Sequence, residues 1–230
     1  MRLHLLRLGL MRGLDAPIPG YLVRTPDGEH VLIDTGYPAG GSPDGRIAVD
    51  AEHELLGVLD RLGVRPADIR HVVCTHLDPD HSGNHHAFPD AEFIVQRSHY
   101  QLALSGSVPR LEQSRKQWDL PGLRYRQVDG DTELLPGIEL IESSGHIRGH
   151  QSVLVRTAES GPVLLAGDAI PMAAALDPDT RPVLPFDLDE PELRRSTRKL
   201  REIAEREGAL IVHGHDGPQW EHLRTAPDHY

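Results

Sequence analysis

Short apolar runs alternate with polar turns along most of the chain, and the period of each run predicts its element. Met1-Arg2-Leu3-His4-Leu5-Leu6-Arg7-Leu8 alternates as a strand does. Tyr21-Leu22-Val23-Arg24 and His30-Val31-Leu32-Ile33, joined by Pro26-Asp27-Gly28-Glu29, predict a hairpin. Leu55, Leu56, Val58, Leu59 and Leu62 recur at helical spacing until Gly63 stops them, which marks a core-facing helix. A second helix opens at Asp189 with Pro191 in its first turn, turns Leu193, Leu200 and Ile203 inward, and ends at Gly208. Strands alternating with such helices point to an α/β chain, a four-layer αββα sandwich, with residues 1–230 as one domain.

Four of the apolar runs lead into His and Asp residues, potential metal ligands. His71-Val72-Val73-Cys74 runs into Thr75-His76-Leu77-Asp78-Pro79-Asp80-His81-Ser82-Gly83-Asn84. Ile138-Glu139-Leu140-Ile141 precedes Ser143-Ser144-Gly145-His146-Ile147-Arg148-Gly149-His150, Val163-Leu164-Leu165-Ala166 ends at Gly167-Asp168, and Leu210-Ile211-Val212-His213 ends at Gly214-His215-Asp216. Residues two apart in extended chain point the same way, so His76 and Asp78 can share one ion. A helix starting near Ser82-Gly83 would aim Asp80 and His81 toward a second, at the separation of two-metal hydrolytic sites. Glycine beside each ligand suits close backbone approach around ions.

These residues resemble the metallo-β-lactamase fold, whose signature is His-x-His-x-Asp-His followed by a Gly-His, an Asp and a final Gly-His. The resemblance runs the whole chain. Within the superfamily the chain is most similar to the N-acyl homoserine lactonase group, through Leu32-Ile33-Asp34-Thr35-Gly36, Gly145-His146 to Gly149-His150 with Gln151-Ser152, and Gly214-His215-Asp216. The resemblance implies that His76, Asp78 and His146 hold one metal, that Asp80, His81 and His215 hold the other, and that Asp168 bridges them. It implies a dinuclear hydrolase that opens lactone rings by attack of a metal-bridging hydroxide. Asp168 keeps the pair together, and Asp80 is ligand and proton donor to the leaving oxygen.

Two departures qualify that picture. Asp78 stands where the signature has histidine, which makes the first site more anionic and admits iron, manganese or cobalt beside zinc. Pro171 stands where lactonases of this group place a tyrosine against the substrate carbonyl, leaving Tyr21 or Tyr37 as candidates for that task. An ester, thioester or phosphotriester hydrolase of the same fold is the alternative function, and iron redox chemistry a more distant one, since flavodiiron proteins resemble this site in having a carboxylate at the position of Asp78.

Charge and the remaining residues narrow the partners. A net charge of −11 argues against nucleic acid, whose phosphates need a basic face. No run approaches the roughly 20 apolar residues that span a bilayer, and the N-terminus lacks the apolar stretch of a signal peptide. The expectation is a cytoplasmic enzyme for a small lactone or ester, with no nucleic acid or membrane partner and a homodimer admissible. Cys74, the single cysteine, reads as buried packing. Asp34 is expected to orient a ligand histidine or form an Asx turn. Among the other histidines, His150 reads as supporting, His213 as facing away, His85 and His86 as helix surface or packing, and His99 as carrying no signal. The segments Ile170–Leu176 and Leu14–Tyr21 are candidates for an acyl pocket, with Arg97, Tyr100 and Trp118 as further lining. The arginines of the last helix, Arg194 to Arg201, interleave with glutamates and read as a solvated, ion-paired face.

Overall fold

A computed structural model describes all residues from Met1 to Tyr230. Twelve strands form two sheets. The first carries β1 (Arg2–Met11), β2 (Ala16–Arg24), β3 (His30–Ile33), β4 (Ile47–Ala48), β5 (Ile69–Val73), β6 (Glu92–Gln96) and β7 (Arg124–Val128), in the order β4-β1-β2-β3-β5-β6-β7. The predicted hairpin is β2–β3, with Tyr21 opposite Ile33, and from β3 to β7 the strands run parallel. The second sheet holds β8 (Thr132–Leu135), β9 (Ile138–Glu142), β10 (Gln151–Thr157), β11 (Gly161–Gly167) and β12 (Leu210–His213). Its order is β12-β11-β10-β9-β8, with only β11–β12 parallel.

Side-chain alternation divides each strand between two cores. Val31, Ile33, Val73 and Ile94 of the first sheet meet Val153, Val155, Val163 and Leu165 of the second in a shared inter-sheet core. The intervening Leu32, Val72, Phe93 and Val95 face out, toward α1 (Leu55–Arg61), α2 (Arg97–Leu104) and α3 (Pro109–Trp118). On the other side Leu154, Leu164 and Ala166 pack on Leu200, Ile203 and Ala204 of α4 (Glu190–Glu207). Both sheets are thus covered on both faces, which is why their strands are nearly continuous apolar runs, and the layers are αββα. A short α5 (Gly217–Trp220) follows β12.

The helix ends follow their local chemistry. Asp189 caps α4 by accepting from the Glu192 N–H at 3.0 Å, and Gly208 ends it in the left-handed region at φ 64°. The exposed face of α4 is ion-paired as expected, through Arg194–Glu190, Arg195–Glu192 and Arg201–Glu205. One expectation fails: no helix starts at Ser82-Gly83. Residues 79–84 form consecutive turns, followed by a single 3-10 turn over His85–Ala87. The segment after β3 captures this stretch instead. Gly83 donates to the Gly36 carbonyl at 2.8 Å, the Asn84 amide donates to the carbonyls of Thr35 and Tyr37, and a Cβ on Gly83 would stand 2.5 Å from the Pro38 nitrogen. Tertiary hydrogen bonds therefore replace those a helix would have made.

Candidate metal centre

The ends of β3, β5, β11 and β12 and the β9–β10 loop converge on one edge of the sandwich. They bring together all seven residues expected there: His76, Asp78, Asp80, His81, His146, Asp168 and His215. Their ligand atoms fall into two groups joined by one carboxylate. Asp78 Oδ2 lies 3.5 Å from His76 Nε2 and 3.3 Å from His146 Nε2. Asp80 Oδ2 lies 3.5 Å from His81 Nε2 and 3.9 Å from His215 Nε2. Asp168 turns Oδ2 to the first group, 3.4 Å from His146 Nε2 and 3.8 Å from His76 Nε2. Its Oδ1 turns to the second, 3.0 Å from His215 Nε2 and 3.5 Å from His81 Nε2. Two ligand atoms each about 2.1 Å from a shared tetrahedral ion stand roughly 3.4 Å apart, so these spacings fit two ions bridged by Asp168.

Each of the four imidazoles is held by its other nitrogen. Nδ1 of His81 meets Asp34 Oδ2 at 2.8 Å, and Nδ1 of His146 meets Asp187 Oδ1 at 3.1 Å. Nδ1 of His215 meets the Pro17 carbonyl at 2.8 Å. Nδ1 of His76 meets Thr75 Oγ1 at 3.0 Å, and that hydroxyl donates to Asp34 Oδ2 at 2.7 Å. With each Nδ1–H donating outward, each Nε2 presents its lone pair to the centre, the arrangement that orients and strengthens metal-binding histidines.

The electrostatics favour a cation at this point. Burial opposes charge on His146, but Asp168, Asp187 and Asp78 raise its pKa to about 9. His81 and His215 are also raised, against burial, by Asp80 and Asp34 and by Asp168 respectively. His76 Nε2, His81 Nε2 and Asp78 Oδ1 are buried and have no hydrogen-bond partner. Such atoms are costly unless something satisfies them, and a divalent ion on each side would satisfy the two imidazole nitrogens. The residues present therefore fit a dinuclear divalent-metal site.

A second set of residues fixes the backbone. Asp34, at φ 56°, also accepts the Thr75 N–H at 2.8 Å and so ties the end of β3 to the end of β5. The expected hydrogen bond from Asp34 to a candidate ligand histidine, His81, is present. Nε2 of His150 accepts the Asp168 N–H at 3.1 Å while its Nδ1 meets Ser143 Oγ at 2.8 Å, and burial keeps the ring neutral. His213 lies outside the ligand groups, with Nδ1 on the Ile170 carbonyl. Cys74 is buried as expected and lies near His85, whose Nδ1 meets the Tyr125 hydroxyl at 2.9 Å. Burial holds His85 at about 3, and this ring takes no part in the centre.

Sequence reasoning missed three participants. His99 is fully buried, accepts the Leu77 N–H at 2.9 Å and meets the Arg148 carbonyl at 2.9 Å, bracing the loop between His76 and Asp78. Asp187 comes from the loop ahead of α4. Arg110, near the start of α3, donates from Nε to Asp78 Oδ2 at 2.7 Å. No local pattern distinguishes these residues from other buried histidines or surface charges.

A cleft of about 280 Å³ opens onto the centre, lined by Leu14, Pro171, Met172, Leu184, Phe186 and Arg110 together with the candidate ligands Asp78, Asp80, His146, Asp168 and His215. The two expected segments thus contribute Leu14, Ala16, Pro171 and Met172, whereas Ile170 and Ala175 belong to the core behind them. Arg97, Tyr100 and Trp118 do not line the cleft: Arg97 pairs with Asp129, Tyr100 stacks on Tyr125, and Trp118 is buried. Neither Tyr21 nor Tyr37 reaches it. Tyr21 is buried against Trp220, and Tyr37 packs on the core outside the first sheet. A larger groove of about 1010 Å³, beside Arg7 and Trp220, contains none of the candidate ligands.

Comparison with known proteins agrees with this geometry. Residues 16–215 match the family model of the metallo-beta-lactamase superfamily. N-acyl homoserine lactonase AiiA of Bacillus thuringiensis subsp. kurstaki is 33% identical, over 94% of this chain and 88% of that protein. N-acyl homoserine lactonase AttM of Azorhizobium caulinodans is 36% identical, over 100% and 94%. A solved N-acyl homoserine lactone hydrolase, with the product N-hexanoyl-L-homoserine at its catalytic metal centre, superimposes with a TM-score of 0.87 at 28% identity, covering 100% of this chain and 98% of that one. No helix is long and apolar enough to cross a membrane. The chain belongs to the metallo-β-lactamase superfamily, among the relatives of the N-acyl homoserine lactonases.

Proposed function

We propose that this protein is a dinuclear-metal hydrolase that opens the lactone ring of N-acyl homoserine lactones, a quorum-quenching activity, with zinc as the working metal. The observation that carries the reading is the bridging placement of Asp168, one oxygen to each ligand group, in the lining of an apolar cleft. Two divalent ions bound there would supply a hydroxide near neutral pH and positive charge for the developing oxyanion.

The protein's own groups do the rest. Asp168, His76, His81, His146 and His215 hold the centre rigid through tethers outside it. Asp80 directs Oδ2 toward His81 and His215 and keeps part of its side chain open to the cleft, where it can take the proton of the hydroxyl that has added to the carbonyl and pass it to the ring oxygen as the ester bond breaks. Leu14, Met172, Leu184 and Phe186 offer an apolar wall to an acyl chain and exclude water from it. No tyrosine lines the cleft, so the polarising hydroxyl expected in this group is absent from that position.

That difference supports a second reading, an ester or thioester hydrolase of the same architecture. One experiment separates the two: acid release by pH-stat from N-hexanoyl homoserine lactone and from simple alkyl and thioesters, using zinc-loaded protein beside Asp168→Asn. Lactone hydrolysis that disappears in the variant supports the lactonase. Ester or thioester turnover with no lactone opening would replace it with the second reading.

A further inference from the structure

Asp78 adds a negative charge where the superfamily signature has a neutral imidazole, and the structure places a positive charge on the same carboxylate. Arg110 Nε donates to Asp78 Oδ2 at 2.7 Å. That oxygen is also the one facing His76 Nε2 at 3.5 Å and His146 Nε2 at 3.3 Å. The contact is shielded, with 22% of the Arg110 side chain and 7% of the Asp78 side chain exposed, so water screens it little. Arg110 cannot lose its proton, and its only ionic partner is Asp78. It comes from the first turn of α3, an element that supplies no ligand.

We propose that Asp78 and Arg110 act as one unit that replaces a neutral histidine: the aspartate supplies the ligand oxygen, and the arginine cancels the charge this adds. The first site then presents the net ligand charge of a histidine-bearing site, with Arg110 as a positioning and charge-setting residue. The pairing revises the expectation drawn from Asp78 alone, that the first site would be more anionic. It rests on the metal-centre reading and is independent of the substrate.

Two exchanges test it, read by zinc stoichiometry and competition titration without substrate, with melting of the metal-free protein as the check on folding. Arg110→Met removes the counter-charge and keeps the bulk, so the first-site zinc should bind about tenfold tighter or more. Asp78→His alone puts an imidazole against a guanidinium and should lose that ion, whereas Asp78→His with Arg110→Met should restore two ions per chain. Arg110→Lys should stay near wild type. Unchanged or weaker zinc binding in a folded Arg110→Met protein would overturn the proposal, as would Asp78→His holding two ions without the second exchange. Because ion binding is the readout, a failed lactone assignment would leave these results standing.

Discussion

Asp34 and His81, 47 residues apart, meet through a 2.8 Å hydrogen bond in which a buried aspartate in the left-handed backbone region receives the imidazole Nδ1 proton. The same carboxylate accepts from the Thr75 backbone and hydroxyl, and the hydroxyl in turn holds His76. One side chain therefore orients a histidine in each half of the centre.

Replacing it should be felt by both ions. Asp34→Asn should weaken zinc binding about 10–100-fold, the usual effect of removing a partner of a metal-binding histidine, with loss at both sites rather than one. Competition titration with a chromogenic chelator checks this, and selective loss at the His81 side alone would contradict the shared role.

Asp80→Asn should separate ligation from proton transfer. The amide keeps an oxygen facing His81 and His215 but cannot deliver a proton to the ring oxygen. Turnover of N-hexanoyl homoserine lactone, normalised to bound zinc, should fall by about 10²-fold or more. A normal rate per bound ion would remove Asp80 from the chemistry.

Gly145→Ala should loosen the loop that carries His146. Gly145 sits at φ 134°, and a Cβ there would lie 2.3 Å from the Leu193 backbone nitrogen, inside the first turns of α4. The loop is also tied to the residues just ahead of α4 by hydrogen bonds from the Leu188 and Asp189 N–H groups to the Gly145 carbonyl. The expected cost is about 2–4 kcal/mol of stability, measured by urea unfolding, together with loss of the first-site ion.

Acid should destabilise the fold through His85. Burial depresses its native pKa to about 3, below the ordinary 6.5. The unfolded chain thus binds this proton first, and stability present above pH 6.5 is lost as the pH falls toward 3. Between pH 7 and pH 5 this one group accounts for about 2 kcal/mol. The fall in urea midpoint over that interval should be smaller in His85→Gln than in wild type.

What the sequence made legible was whatever lies close along the chain. The β2–β3 hairpin, α1 up to Gly63 and α4 from Asp189 to Gly208 carry their own periodicity and caps, and the seven candidate ligands announce themselves because they lie within a few residues of the ends of four apolar strands. The helix expected after Ser82 failed because Gly83 and Asn84 bond to residues 35–37, a competitor that no local pattern displays. Arg110, Asp187 and His99 stayed hidden for the same reason. Each acts on a candidate ligand, or on the loop that carries it, from an element folded against it, and only packing shows which of many similar side chains arrives there.

The four outward tethers of the candidate ligand histidines come from Pro17, Asp34, Thr75 and Asp187, and the candidate ligands themselves are divided between the two sheets. An ion seated here is therefore a clasp across the sandwich, joining residues that a nascent chain supplies at its beginning, middle and end. Neither half can form the centre alone, and tight ion binding becomes a report that the last strand has docked.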